Sequence, residues 1–362
     1  MIQVTKAFLP PIEEYKRYID GIWERVHLTN HGPLVNDLEG KLKSFLKAKH
    51  FYYLNNGTIA LQIAIKALEL KGEIITTPFS YVATTSSIVW ENCKPVFVDI
   101  DKNTFTIDAS KIEAAITSQT SAILATHVYG IPCDVEAIEK IAKQHKLKVI
   151  YDAAHAFGVE YNGRSVLSYG DISTLSFHAT KLFHTTEGGG IVTNSDDLAH
   201  RISYMRNFGH NGQEEFWGLG INGKNSEFHA AMGLANFPFI DSILERRKVL
   251  SEKYDQNFKD EGVVLFRPKI KDKIKYNYAY YPVCLENEKQ LLRVKDGLNA
   301  SYIYPRRYFY PSLDSLPYVI SKQDLPVCRS ISSRVLCLPL YHDLPQDAIK
   351  NICAIISKIL KY

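Results

Sequence analysis

Between residues 51 and 151 the chain repeats one pattern. Short apolar runs at 51–54, 73–78, 94–100, 122–127 and 147–151 alternate with stretches of helical spacing at 59–70, 84–91, 108–116 and 135–145. The runs are apolar throughout rather than alternately polar, so each reads as a strand covered on both faces. Strands of that kind joined by helices form βαβ crossovers. The expectation is an α/β fold with a mainly parallel central sheet and helices on both faces. In such sheets ligands gather beyond the carboxyl ends of the strands, which directs attention to the residues that follow each run.

The flanking sequence completes an outline. Pro10-Pro11 forces an extended entry, residues 12–23 have helical spacing, and Leu34, Leu38, Leu42, Phe45 and Leu46 mark a second helix. Beyond residue 158, β-like pieces at 173–177 and 190–193 are followed by a helix opening at Asp196-Asp197. A Gly- and Asn-rich loop covers 217–227, and a helix from Phe228 continues through 240–258 with a kink expected at Pro238. From about residue 262 the character shifts to a β-like run at 276–285, helices at 288–298 and 347–360, and an aromatic loop at 302–311. A chain of 362 residues has room for two domains. The division expected is a large α/β domain over 1–245 and a smaller α+β domain over 246–362, with residues 1–30 packing on the smaller one.

Charge and cysteine usage narrow the function classes. The net charge is +4 and the basic residues are scattered, which argues against a nucleic-acid surface but suits a phosphate-bearing substrate. The cysteines are Cys93, Cys133, Cys284, Cys328, Cys337 and Cys353; none forms CxxC or lies at metal-ligand spacing from a histidine. They read as buried thiols of a cytoplasmic protein, with no metal. The first residues lack a signal-peptide core, and no apolar run reaches the roughly 18 residues of a membrane span.

Chemistry concentrates at the strand ends. Lys181 lies in a polar loop between the pieces at 173–177 and 190–193, among apolar residues that would strip water from its amine. Desolvation favours the neutral amine, which attacks aldehydes. Taken alone, a lysine in a hairpin loop is most often a surface side chain. Ser176 offers a hydroxyl to a phosphate, and Gly188, Gly189 and Gly190 let backbone approach a flat ligand. Asn55-Asn-Gly-Thr58 opens a helix, so Gly57 and Thr58 form an anion site in principle, with Thr58 expected as the cap. Asp152 follows a strand, His155 is close behind it, and Tyr81 follows another. Each has a bland reading as turn former, structural histidine or capping residue. As a set they match pyridoxal 5′-phosphate (PLP) chemistry: an amine for the aldehyde, a carboxylate for the pyridine nitrogen, donors for the phosphate and a flat face for the ring.

Five stretches resemble one family. Asn56-Gly-Thr-Ile-Ala-Leu61, Pro78-Phe-Ser-Tyr-Val-Ala-Thr84, Tyr151-Asp-Ala-Ala-His155, Ser176-Phe-His-Ala-Thr-Lys181 with Glu187-Gly-Gly189, and Gly220-Ile-Asn-Gly-Lys-Asn-Ser-Glu227 are similar, in order and spacing, to the DegT/DnrJ/EryC1/StrS sugar aminotransferases of fold-type I. The resemblance implies that Lys181 carries PLP as a Schiff base, Asp152 pairs with the pyridine nitrogen, His155 lies near the phenolic oxygen and Tyr81 stacks on the ring. It further implies that Gly57, Thr58 and Ser176 bind the phosphate and that Asn222 reaches it from the neighbouring subunit of a homodimer. Lys181 argues against the related dehydratases that carry histidine there. Two departures stand out: Thr186 where glycine is usual, and Lys224-Asn225 where Arg-Met is usual, which replaces a fork of donors by a point charge. The amino donor implied is glutamate and the acceptor a nucleotide-linked keto-sugar of an O-antigen pathway. The wording is most similar to the branch that aminates C4 of dTDP-4-dehydro-6-deoxy-D-glucose. His31, Lys224, Arg306 and Tyr308 are the candidate substrate contacts. Alternatives from the same residues are amination at C3 of a 3-keto sugar, or a PLP-binding regulator without turnover.

Overall fold

The computed structural model describes residues 1–320 and 323–361. Strand β1 (Ile2–Gln3) leads to α1 (Ile12–Arg25), entered through Pro11. Helix α2 (Pro33–Phe45) opens on a proline, which gives up only an N–H that the first turn does not use, and buries Leu34, Val35, Leu38 and Leu42. The repeating unit follows: β2 (His50–Leu54), α3 (Gly57–Ala67), β3 (Glu73–Thr76), α4 (Val82–Trp90), β4 (Lys94–Phe97), β5 (Thr120–Thr126), α5 (Val135–His145) and β6 (Lys148–Asp152). A short ribbon of β7 (Glu160–Tyr161) and β8 (Arg164–Ser165) precedes β9 (Ile172–Ser176) and β10 (Gly189–Thr193).

The main sheet has seven strands in the order β2, β10, β9, β6, β5, β3, β4. From β9 to β4 every pairing is parallel, whereas β10 runs antiparallel to both β9 and β2. The parallel expectation therefore holds for most of the sheet, and β10 is the exception because it returns from β9 as a hairpin. Alternate residues face opposite cores. Ile74, Leu124 and Ile150 pack with Ala60, Ile63 and Ile88 of α3 and α4, and with Ile202 beyond the sheet. Their neighbours Ile75, Ile123 and Val149 pack on the other face with Leu38 of α2 and Ile138 of α5. Both faces are covered, which is why the runs lack polar alternation.

Residues 108–116 are not the expected helix. They form two 3₁₀ turns, Ala109–Lys111 and Glu113–Ala115. Asp108 accepts from the N–H and hydroxyl of Ser110, and Ile112 alone is fully buried, so no apolar stripe holds a longer helix.

The chain continues with α6 (Asp196–Met205), the hairpin β11 (His210–Asn211) and β12 (Glu215–Phe216), α7 (Glu227–Asn236) and α8 (Ile240–Asp260). A 3₁₀ turn over Phe237–Phe239 marks the bend expected at Pro238. Then come β13 (Ile274–Lys275), β14 (Tyr281–Cys284), α9 (Glu288–Ala300), β15 (Ile303–Tyr304), α10 (Pro326–Arg334), β16 (Val335–Leu338) and α11 (Gln346–Lys361). β14 pairs antiparallel with β16, and β1 pairs parallel with β15. The β-like run at 276–285 shortens to Tyr281–Cys284 because Tyr276 and Asn277 turn their side chains to carbonyls near the sheet's carboxyl edge, on Tyr129, His155 and Phe157. Ile240 and Ile243 of α8 lie in the core beside the main sheet, while Leu250, Tyr254 and Phe258 lie in a second core with Leu291, Val294, Ile352 and Ile356. Residue 245, where the sequence divides the chain, is inside this continuous helix.

Candidate active site

A cavity of about 300 Å³ opens at the carboxyl ends of β5, β6 and β9. Gly57, Thr58, Tyr81, Asp152, His155, Ser176, Lys181 and Tyr308 all line it.

One wall is the start of α3. Its cap is Asn56, whose side chain accepts from the Ile59 N–H at 2.8 Å, and not Thr58. The Asx side chain sits one position outside the helix, where the backbone is extended, while Thr58 is already helical. With Asn56 as the cap, the Thr58 hydroxyl is free and the Gly57 and Thr58 N–H groups have no acceptors among the described residues. Side chains are excluded around this turn: a Cβ on Gly189 would lie 2.3 Å from the Asn56 carbonyl oxygen, and one on Gly57 would lie 3.0 Å from Ser176 Cβ.

Across the cavity Asp152 ends β6, nearly fully buried. Its Oδ1 accepts from the Ala154 N–H at 3.1 Å and its Oδ2 from the Thr84 hydroxyl at 2.7 Å. His155 accepts at Nδ1 from the Tyr129 N–H, which leaves Nε2 as the protonated nitrogen. Burial, with help from the Lys181 charge, holds this imidazole well below its usual range, so it is neutral. It stacks on Phe309 and meets Tyr280 edge-on.

Lys181 is positioned by its neighbours in the β9–β10 loop. Its N–H donates to the His178 carbonyl. Phe183, two residues on, stacks on Phe157 at 4.9 Å and anchors the loop, and the Thr185 N–H closes it on the Phe177 carbonyl. Burial lowers the amine to about 8, opposed by the Asp152 carboxylate and Tyr81. Thr186 has a φ of 68°, the left-handed backbone for which glycine is suited.

Three expected residues lie elsewhere. Asn222 bridges to Asn207, Lys224 donates to the Asn207 side chain at 2.9 Å and covers the Phe208 ring, and burial, helped by the Arg206 and Lys224 charges, pushes the His31 imidazole down to about 4. None of them lines this cavity. Arg306 lines an adjoining cleft with Lys295, Asn299 and Tyr304, which meets the cavity at Tyr81 and Tyr308. Sequence reasoning missed Tyr280 and Phe309, since nothing in their local pattern sets them apart from core aromatics. It also gave no role to Asn225, which donates to Tyr53 and to the Leu54 and Glu187 carbonyls and so ties the 217–227 loop to the end of β2.

The residues fit PLP on the structure's own terms: a lysine amine that burial brings down to about 8, a buried carboxylate opposite, and free N–H groups at a helix start where no Cβ intrudes. Among the described residues no cluster of metal-ligating side chains occurs and no helix is long and apolar enough to cross a membrane.

Comparison with known proteins agrees with this geometry. Residues 12–357 match the model of the DegT/DnrJ/EryC1/StrS aminotransferase family. The chain belongs to that family. Its members are PLP-dependent aminotransferases, and this chain is one. A Shigella dysenteriae protein named dTDP-4-amino-4,6-dideoxy-D-glucose transaminase is 44% identical, with 99% of each chain covered. An Escherichia coli protein of the same name is 40% identical, covering 97% of this chain and 96% of its own. Among solved structures, DesI in the presence of its TDP-sugar product superposes with a TM-score of 0.92 at 31% identity, covering 99% of this chain and 92% of that one. The aminotransferase family thus supplies the fold-type I frame expected from the sequence.

Proposed function

We propose that this aminotransferase moves an amino group from glutamate to C4 of dTDP-4-dehydro-6-deoxy-D-glucose. The observation that carries the chemistry is the Lys181 amine facing the same cavity as the buried Asp152 carboxylate, with the start of α3 at the cavity wall. The two transaminases that share 44% and 40% identity over nearly the whole chain support the substrate.

PLP, when bound, supplies an aldehyde that exchanges amines and a ring that accepts an electron pair. Lys181 would hold the coenzyme through its amine, and the same amine, brought to about 8, would serve as the base and acid that carries a proton at its Nζ. Asp152 keeps the ring nitrogen protonated. Gly57, Thr58 and Ser176 would hold the phosphate, His155 would donate from Nε2 to the phenolic oxygen, and Tyr81 would cover the ring. Arg306 and Tyr308 meet the sugar nucleotide where cavity and cleft join. Asn222, with Lys224 and His31, serves the cavity of a second subunit; their distance from their own cavity and the exposed Phe208, Phe216, Trp217 and Leu219 nearby support that arrangement. We also propose the division at residue 245, and a reducing compartment, which six free buried cysteines support.

The test is a product assay with glutamate and dTDP-4-dehydro-6-deoxy-D-glucose. NMR should place the new amine at C4, with one 2-oxoglutarate per sugar. Consumption of the 3-keto isomer with the 4-keto sugar untouched would reverse the regiochemistry. Bound PLP without turnover would make the protein a regulator.

A further inference from the structure

Behind Asp152 lies a line of hydroxyls whose direction is determined. Thr84 donates to Asp152 Oδ2 at 2.7 Å. Ser80 and Thr84 are 2.8 Å apart at their oxygens, and the Thr126 hydroxyl donates to Ser80 at 3.0 Å. A hydroxyl has one proton. Thr84 spends its proton on the carboxylate, so Ser80 must donate to Thr84 and not the reverse, and Thr126 feeds Ser80. All three protons point toward Asp152. Thr84, Ser80 and Thr126 are each 2% exposed or less; Thr84 lies behind the cavity wall, and Ser80 and Thr126 reach its lining. The three come from separate elements: α4, the turn after β3, and the end of β5.

We propose that Thr84 is a positioning residue for Asp152, and that Ser80 and Thr126 set the direction in which it donates. This rests on the reading of Asp152 as the partner of the ring nitrogen. The Ala154 N–H alone holds one carboxylate oxygen and lets the group turn about its last bond. The Thr84 hydroxyl on the other oxygen fixes the plane. A carboxylate so fixed offers its remaining lone pairs to the cavity in one orientation. The ordering of a charged acceptor by aligned donors is the reason these hydroxyls are buried together instead of being replaced by methyl groups.

The test compares Thr84→Val, Thr84→Ser, Ser80→Ala and Asp152→Asn with the wild type. Each is read by PLP affinity of the stripped protein, by visible circular dichroism of the bound coenzyme, and by kcat and KM. Thr84→Val should weaken PLP binding on the order of 10-fold, alter the dichroism, and lower kcat more than it raises KM. Thr84→Ser should restore all three, and Ser80→Ala should fall between. Wild-type affinity and dichroism in Thr84→Val overturn the proposal, as does a Thr84→Ser protein as impaired as Thr84→Val. If Thr84→Val does not fold, an unaltered dichroism in Ser80→Ala overturns it instead. Wild-type PLP affinity in Asp152→Asn would remove the underlying role of Asp152; loss there with none in Thr84→Val removes only the positioning.

Discussion

A lysine amine brought to about 8 from the ordinary 10.5 is mostly charged at pH 7 and mostly neutral at pH 9. The neutral form is the one that captures an aldehyde. The rate at which stripped protein takes up PLP should therefore rise about tenfold per pH unit below 8 and level off above it; a profile still climbing steeply beyond pH 9 would show an ordinary lysine. Thr186 makes a second residue-level case. Its side chain is exposed and its backbone sits at φ 68°. Thr186→Gly should stabilise the protein by about 0.5–1 kcal/mol in urea unfolding, since the strain relieved exceeds the freedom gained by the unfolded chain. At this scale the meeting of Lys181 and Asp152 at one cavity was legible, because few residue types offer an amine or a carboxylate at a strand end. Thr84 was not, because Thr84-Thr85-Ser86-Ser87 offers four hydroxyls and only the fold decides which one reaches the carboxylate.

Among the elements, α2 depends on a carboxylate from another helix. Pro33 has no N–H, and Glu227, fully buried at the start of α7, accepts from the next two, Leu34 and Val35, each at 2.9 Å. Glu227→Ala leaves both N–H groups unpaired and should cost about 2–4 kcal/mol of stability; a change under half a kcal/mol would mean that water reaches the helix start. The β2–α3 turn makes a different demand. Gly189→Ala forces a Cβ against the Asn56 carbonyl, so the turn must shift; PLP affinity should fall on the order of tenfold or more, and unfolding should become easier by about 1–3 kcal/mol. Strands and helices of the main sheet were legible because both faces are covered and the runs are long enough to show it. The failures have local causes: Asp108 closing its own turn at 108–116, and Asn56 outbidding Thr58 for the cap. Two-residue strands such as β1 and β15 carry no period to read.

For the whole molecule, the separation of Asn222 and Lys224 from the cavity has a measurable consequence. Lys181→Ala and the double variant Asn222→Ala, Lys224→Ala should each be nearly inactive. Mixed after unfolding and refolding, they should recover about a quarter of wild-type activity if two-fold dimers share their sites; no recovery would place those residues in their own subunit's chemistry. The broad fold was legible because it follows from the strand–helix alternation. The seating of Tyr280 and Phe309 against His155 was not, because it depends on how distant stretches fold back over the sheet. The claim on which the rest stands is that Lys181 and Asp152 hold one coenzyme between them. The direct measurement adds glutamate alone to the PLP-loaded protein and follows coenzyme absorbance and 2-oxoglutarate together. The account predicts one 2-oxoglutarate per cavity with loss of the visible band, and neither change in Lys181→Arg. A Lys181→Arg protein that keeps the normal visible band and releases 2-oxoglutarate at the wild-type rate would contradict it.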